Sequence, residues 1–194
     1  MLYLGLIAVA TLMANSARQL RYMALAFLLV SVVANAIASS STPLAQLALT
    51  GCAGLAAAGV LYVAARHSAY GEESGWRPWL ATIVAAIVTP IAYASFRTLS
   101  GEPAALPLWD DDSGVIAQVA GVWLLSSGVA ILLTARRAAR ASLAALVMVT
   151  GVQLLVRPTA EARLAITLML SWLEVVIALA GAFLVVNERA VIEG

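Results

Sequence analysis

Seven apolar runs, separated by short breaks that contain arginine, proline or polar residues, constrain this chain more than any other feature. They lie near residues 2–17, 20–38, 44–65, 79–98, 115–135, 141–157 and 163–186. A helix that crosses a hydrocarbon core of about 30 Å needs roughly 20 mostly apolar residues. Backbone polar groups in such a core must bond within their own segment, which favours helices. The sequence therefore predicts an all-α, polytopic membrane helical bundle of about seven transmembrane helices.

The composition excludes a soluble globular protein. Hydrophobic residues make up 63% of the 194 residues and charged residues only 11%, whereas a soluble domain is about 25% charged. The first run has no basic segment before it, so we do not interpret it as a signal peptide. The breaks are too short for a soluble domain, and we expect residues 1–194 to form a single transmembrane domain.

The arginines predict the orientation. All 11 basic residues are arginine, and seven crossings would divide them unequally between the two sides. Basic residues favour the cytoplasmic side, so we expect the N-terminus outside, the C-terminus in the cytoplasm, and the acidic loop of Glu102 and residues 110–112 outside. The side of the C-terminus carries eight arginines (Arg18, Arg21, Arg66, Arg77, Arg136, Arg137, Arg140, Arg189) and the other side three (Arg97, Arg157, Arg163).

Glu174 is the most informative single residue. It lies 11 residues into the last run, which is about 16 Å deep at 1.5 Å per residue and close to the bilayer midplane. An ionised carboxylate at a helix centre costs several kcal/mol, and such residues commonly serve ion or proton pathways. A protonated glutamic acid that only hydrogen-bonds a neighbouring helix or subunit is an equally weighted alternative.

Two polar residues of the sixth run, Thr150 and Gln153, could extend a polar track outward from Glu174. The sixth and seventh runs are joined by a short connection and should pack antiparallel. Counting from that connection places Leu146 opposite Glu174. Ordinary interhelical hydrogen bonds, worth about 0.6 kcal/mol on average, are the alternative, which we favour for Gln153.

Other runs carry features that indicate packing or shape. Pro90 lies in the middle of the fourth run and predicts a helix kink. The small residues Gly54 and Ala58 of the third run favour close helix packing. Trp123 and Trp172 lie deep in their runs and should face protein.

The sequence predicts no catalytic residue, no cofactor site and no metal site. With one histidine, His67, and one cysteine, Cys52, the chain cannot build bis-histidine haem ligation, a zinc site or an iron–sulfur site. A net charge of +1 gives no reason to expect nucleic-acid binding. Catalysis by this chain alone is therefore not expected.

Three segments give the chain a resemblance to a known family. They are Arg18-Gln-Leu-Arg21, the end of the third run from Leu61 to His67, and the stretch from Gly128 to Arg137 that continues through Met148-Val-Thr-Gly151 to Glu174. In their order along the chain they resemble the hydrogenase-4 component E family. That family is related in part to subunit K of NADH–quinone oxidoreductase and belongs to complex I-like assemblies.

The resemblance implies a non-redox membrane subunit without a cofactor, located in a bacterial or archaeal cytoplasmic (inner) membrane. Its partners would be lipids, antiporter-like subunits and a quinone-site or linker subunit, and its buried acids would belong to a proton path. Family members carry a carboxylate in the sixth span and a lysine in the third, where this chain has Val149 and Ala57. Of the buried acids that the resemblance implies, this chain retains only the one in the last span, as Glu174, so the chain could serve mainly as a scaffold.

Two further functions remain open from the sequence. One is a small stand-alone transporter coupled to protons, with Pro90 as its hinge and Glu174 as its coupling site. The other is an accessory or assembly subunit without a transport role, in which Glu174 could be replaced without effect.

Overall fold

A computed structural model describes residues 2–17, 19–39, 42–66, 77–100, 112–156 and 164–193. Over these residues the chain forms seven α-helices: α1 (Leu2–Ser16), α2 (Leu20–Ala38), α3 (Leu44–Arg66), α4 (Arg77–Ser100), α5 (Asp112–Thr134), α6 (Ala138–Val156) and α7 (Leu164–Glu193).

Six of these helices, α2 to α7, are long and apolar enough to cross a membrane. The chain is thus a multi-pass helical bundle, as predicted. Helix α1 has 15 residues, which gives it a length of about 22 Å, less than a hydrocarbon core of about 30 Å. A seventh crossing and the side of each terminus therefore remain predictions. Helix α7 is 30 residues long and continues to Glu193, beyond the end of the last predicted span at residue 186.

The helices form two rows that meet at α4. One row has the order α3, α2, α1 and the other has the order α7, α6, α5. Across the rows, α3 packs on α7, α2 packs on both α6 and α5, and α1 packs on α5, while α4 contacts α5 and α1. Consecutive helices within a row are antiparallel, as short connections require. This arrangement places the middle of α7 against α3 on one side and α6 on the other.

The bundle turns its polar side chains inward and its large apolar side chains outward. Leu133, Met169 and Phe183 are each at least 70% exposed, as suits helices in a solvent as apolar as leucine. Trp172 is 72% exposed, so within this chain it does not pack against protein, contrary to the prediction. The reason is that, among the described residues, α7 packs on α3 and α6, which leaves most of its circumference for lipid or for a partner.

Helices α5 and α6 approach each other most closely at glycines. A Cβ atom added at Gly151 would lie 2.9 Å from the carbonyl oxygen of Gly121 and 3.0 Å from the backbone nitrogen of Leu125. One added at Gly128 would lie 2.9 Å from the carbonyl oxygen of Ala144. Since these neighbours are backbone atoms, they cannot move aside without moving a helix. The glycines therefore set the distance between α5 and α6, as small residues do in membrane helix pairs.

Candidate functional site

Glu174 lies in the middle of α7 and is 1% exposed. One partner is Gln153 of α6, which is also buried and whose Nε2 donates a hydrogen bond to Glu174 Oε2 at 3.1 Å. The two helices present these side chains to each other because α6 and α7 pack as antiparallel neighbours. The structure thus brings together two of the three residues that the sequence suggested for a polar track.

The helix register differs from the one obtained by counting residues. Counting placed Leu146 opposite Glu174, but the contact is made by Gln153, which lies on the same face of α6 two turns further along. A second contact sets the register independently, since Gly181 lies so close to Ser142 that a Cβ atom at position 181 would collide with the Ser142 side chain. Counting failed because it assumed that the ends of α6 and α7 lie at one level, whereas side-chain packing decides how far the helices slide.

Helices α2 and α3 complete the surroundings of Glu174. A Cβ atom at Gly54 would lie 3.7 Å from Glu174 Oε1 and 2.9 Å from the Cβ atom of Ser31. The missing side chain of Gly54 therefore leaves room for Ser31, while the Glu174 carboxyl group lies at ordinary contact distance. We refer to Ser31, Gly54, Gln153 and Glu174 as the Glu174 cluster, which joins one residue from each of four helices.

The sequence analysis assigned Gly54 to packing alone and did not connect it with Glu174. Gly54 does pack closely, against Ser31, so that interpretation describes half of its role. The missed signal was the coincidence of depth, because Gly54 and Glu174 each lie 10 residues into helices that begin at Leu44 and Leu164. Helices α3 and α7 run in the same direction, and equal depths then place the two residues at one level.

A second polar pair lies one helical turn from the cluster. Thr50 Oγ lies 2.8 Å from Asn35 Oδ1 and 3.0 Å from the carbonyl oxygen of Gln46. Thr50 is 2% exposed, and its single hydroxyl proton can be donated to either acceptor. This pair links α2 and α3 just as Ser31 and Gly54 do, and it carries the polar surroundings of Glu174 one turn toward the start of α3.

The structure places Thr150 and Pro90 differently from Gln153. Thr150 is buried, but its hydroxyl donates to the carbonyl oxygen of Leu146 within its own helix at 3.0 Å. Pro90 is exposed in the middle of α4, and α4 packs on α5 and α1 rather than on α7. The helix continues through Pro90 from Arg77 to Ser100, and the kink stays a prediction.

Another polar group among the described residues lies between α1, α4 and α5. Trp123 Nε1 donates to Thr11 Oγ at 2.8 Å, and Asn15 Nδ2 donates to Thr82 Oγ at 2.7 Å. Ser127 lines the same small cavity, which has space for about one water molecule. We refer to Thr11, Asn15, Thr82, Trp123 and Ser127 as the Trp123 cluster. All of its members are neutral, so it can hold helices together and orient water but cannot store a charge.

Several residues from the sequence analysis lie outside the described ranges. They include His67, Glu102 and the acidic residues 110 and 111. Among the residues that the structure describes, no three histidine, cysteine or acidic side chains come together as a metal site would require.

Comparison with known proteins adds no relative. No known family, no curated protein and no solved structure matches this chain.

Proposed function

We propose that this chain is a non-redox integral-membrane subunit of a complex I-like respiratory assembly in a bacterial or archaeal inner membrane. It scaffolds antiporter-like subunits, and Glu174 takes up and releases a proton. The observation that carries the proposal is the burial of Glu174 at the junction of α2, α3, α6 and α7, with the Gln153 amide as its hydrogen-bond partner.

An amide is a suitable partner for a carboxyl group that changes its protonation state. Its NH₂ group donates to a carboxylate, and its carbonyl oxygen accepts from the hydroxyl of the protonated acid. Gln153 can therefore satisfy Glu174 in both states by rotating its amide. The hydrogen bond between Gln153 and Glu174 is therefore compatible with proton exchange at this carboxyl group.

The outer surface of α7 supports the scaffolding part of the proposal. Met169, Trp172 and Phe183 are all at least 70% exposed along this helix. A face of large apolar and aromatic side chains can contact either lipid or the helices of another membrane subunit. In the proposed assembly this face binds a neighbouring subunit, which places Glu174 next to a subunit interface.

The test replaces Glu174 with glutamine in the assembly purified from native membranes with mild detergent. Glu174→Gln keeps the size and a hydrogen-bond partner for Gln153 but cannot exchange a proton. We expect electron transfer to persist while the number of protons moved per electron falls. Glu188→Gln is the matched control, since Glu188 lies on the same helix outside the cluster, and it should leave the stoichiometry unchanged.

Two outcomes would contradict the proposal. An unchanged proton-to-electron ratio in Glu174→Gln would assign Glu174 a structural role. Mass spectrometry that finds the chain purified alone, as a monomer or homodimer, would exclude the assembly and favour a stand-alone transporter.

The orientation needs its own test. We expect a cysteine in place of Asp111 to react with an impermeant thiol reagent from outside, in a Cys52→Ala background. The unmodified chain, which keeps Cys52, is the control for reaction at the native cysteine. Cys52 lies on the exposed face of α3 within a membrane-spanning segment. Reaction only after the membrane is opened would reverse the orientation.

A further inference from the structure

The polar side chains around Glu174 are distributed unequally along the bundle. Helix α3 begins at Leu44 and α7 begins at Leu164, at the same end of the bundle. We refer to this end as the N-terminal end of α3 and α7. From Glu174 toward this end, the helices α2, α3, α6 and α7 bury or half-bury seven polar side chains: Ser31, Asn35, Gln46, Thr50, Gln153, Thr167 and Ser171.

The contacts and the helical repeat place these side chains in a column. Ser31 and Gly54 are at the level of Glu174, and Asn35 and Thr50 are one turn closer to the N-terminal end. On α7, Ser171 and Thr167 precede Glu174 by three and seven residues. Residues at these spacings share one helix face, and both are at most 5% exposed.

Ser171 adds an unsatisfied group to this column. It is 4% exposed, and its hydroxyl oxygen has no hydrogen-bond partner among the described residues. A buried polar group of this kind is commonly satisfied by an ordered water molecule. Such a water one turn from Glu174 would provide the next step of a hydrogen-bonded chain.

An apolar layer lies on the other side of Glu174. Its five members are each at most 1% exposed and come from all four helices: Phe27, Ala57, Leu61, Leu146 and Ala178. The next polar contact beyond it is Ser142 against Gly181, seven residues past Glu174 on α7 and thus about 10 Å away along the axis. None of the five side chains can donate or accept a hydrogen bond. Thr150 lies between Gln153 and Leu146 on the same face of α6, and its hydroxyl donates to the carbonyl oxygen of Leu146 within that helix.

We propose that Glu174 exchanges protons with one side of the membrane only, through the polar column that leads to the N-terminal end of α3 and α7. The apolar layer separates the carboxyl group from the opposite side. A proton from that side binds to a carboxylate oxygen of Glu174, and during turnover it passes on to the neighbouring subunit of the proposed assembly, so that no other bond changes in this chain. This inference rests on the proposed function and adds the side of access, which the arginine distribution predicts to be the outside.

The test uses dicyclohexylcarbodiimide, an apolar reagent that adds to a protonated carboxyl group and leaves an N-acylurea on it. Native membranes are prepared as right-side-out and as inverted vesicles, and the pH is raised on one side at a time. Mass spectrometry measures the rate of modification at Glu174. The protonated fraction of an acid falls about tenfold per pH unit where it is mostly ionised, so the rate should fall severalfold when the pH rises at the N-terminal end of α3 and α7.

Three outcomes would overturn the inference. They are a rate that follows the pH of the opposite side, a rate that follows both sides equally, and the absence of modification at every pH. The proposed function fails separately, when Glu174→Gln leaves the proton-to-electron ratio unchanged.

Substitutions inside and outside the polar column test where the proton path lies. Thr50→Val and Ser171→Ala each remove a hydroxyl from it and should slow proton translocation by the assembly severalfold, without changing its composition. Ser142→Ala is the matched control, because Ser142 lies beyond the apolar layer, and it should leave the rate unchanged. Slowing by Ser142→Ala equal to that by Ser171→Ala would contradict a one-sided path.

Discussion

The Glu174 cluster and the Trp123 cluster both lie between helices but differ in burial and in chemistry. The Trp123 cluster is joined by partly buried hydrogen bonds of 2.7 and 2.8 Å, and the Glu174 cluster by one buried hydrogen bond of 3.1 Å. The Trp123 cluster contains only neutral donors and acceptors, whereas the Glu174 cluster contains a group that can bind and release a proton. Interhelical hydrogen bonds of neutral groups are worth about 0.6 kcal/mol, which suffices to orient helices. The ionisable group, rather than hydrogen bonding between helices, therefore distinguishes the Glu174 cluster.

The two clusters are connected through the contact between α5 and α6, and breaking this contact should have the largest effect on stability. We expect Gly151→Ala to lower the free energy of unfolding by about 1–3 kcal/mol, as overpacking does. The cause is the close approach of the new Cβ atom to the backbone of Gly121 and Leu125. The measurement is a titration with sodium dodecyl sulfate that follows loss of the folded bundle.

Gly59→Ala is the control for this prediction. A Cβ atom at Gly59 would meet nothing within 4 Å, and the change in helix propensity is the same at both glycines. Equal unfolding curves for the two variants would show that α5 and α6 can move apart at little cost.

Removing the partner of Glu174 should have the next largest effect. We expect Gln153→Leu to destabilise the bundle by about 1–2 kcal/mol, since it leaves a buried carboxyl group without this hydrogen bond. Thr150→Val is the matched control on the same helix, because the Thr150 hydroxyl bonds within α6. The same titration measures both, and a Gln153→Leu variant as stable as Thr150→Val would mean that Glu174 finds another partner.

The Trp123 cluster should respond more weakly, and only in stability. We expect Trp123→Phe to cost about 0.6 kcal/mol, the average for an interhelical hydrogen bond, and to leave proton translocation by the assembly unchanged. A double-mutant cycle with Thr11→Val isolates the energy of the bond between them. A loss of translocation comparable to that of Glu174→Gln would remove the functional distinction between the clusters.

The smallest effect is expected at Ser127. Its hydroxyl oxygen has no hydrogen-bond partner among the described residues, so Ser127→Ala gives up no direct bond and should change the unfolding free energy by less than about 0.5 kcal/mol. Thr82→Val, which removes the acceptor of Asn15, should cost more. A clear destabilisation by Ser127→Ala would indicate a structural water in the cavity.

Much of the helix layout could be predicted from the sequence, because run length and polar breaks control where membrane helices form. The sequence also indicated Glu174 as a candidate functional residue, since an ionisable residue in an apolar run is rare. The role of Gly54 and the outward position of Trp172 were not predictable. Helices that are apolar all round give little indication of which face meets protein, and their pairing decides it.

The amino-acid sequence by itself determined that the chain forms apolar, membrane-spanning helices and that one of them carries a glutamate at its centre. Only the tertiary structure decided that Gln153 rather than Leu146 faces this glutamate, that Gly54 lies beside it, and that most of its polar neighbours lie toward one end. The physical reason is that hydrophobic transfer depends on each run alone, whereas register and neighbours depend on how small and large side chains of different helices fit together.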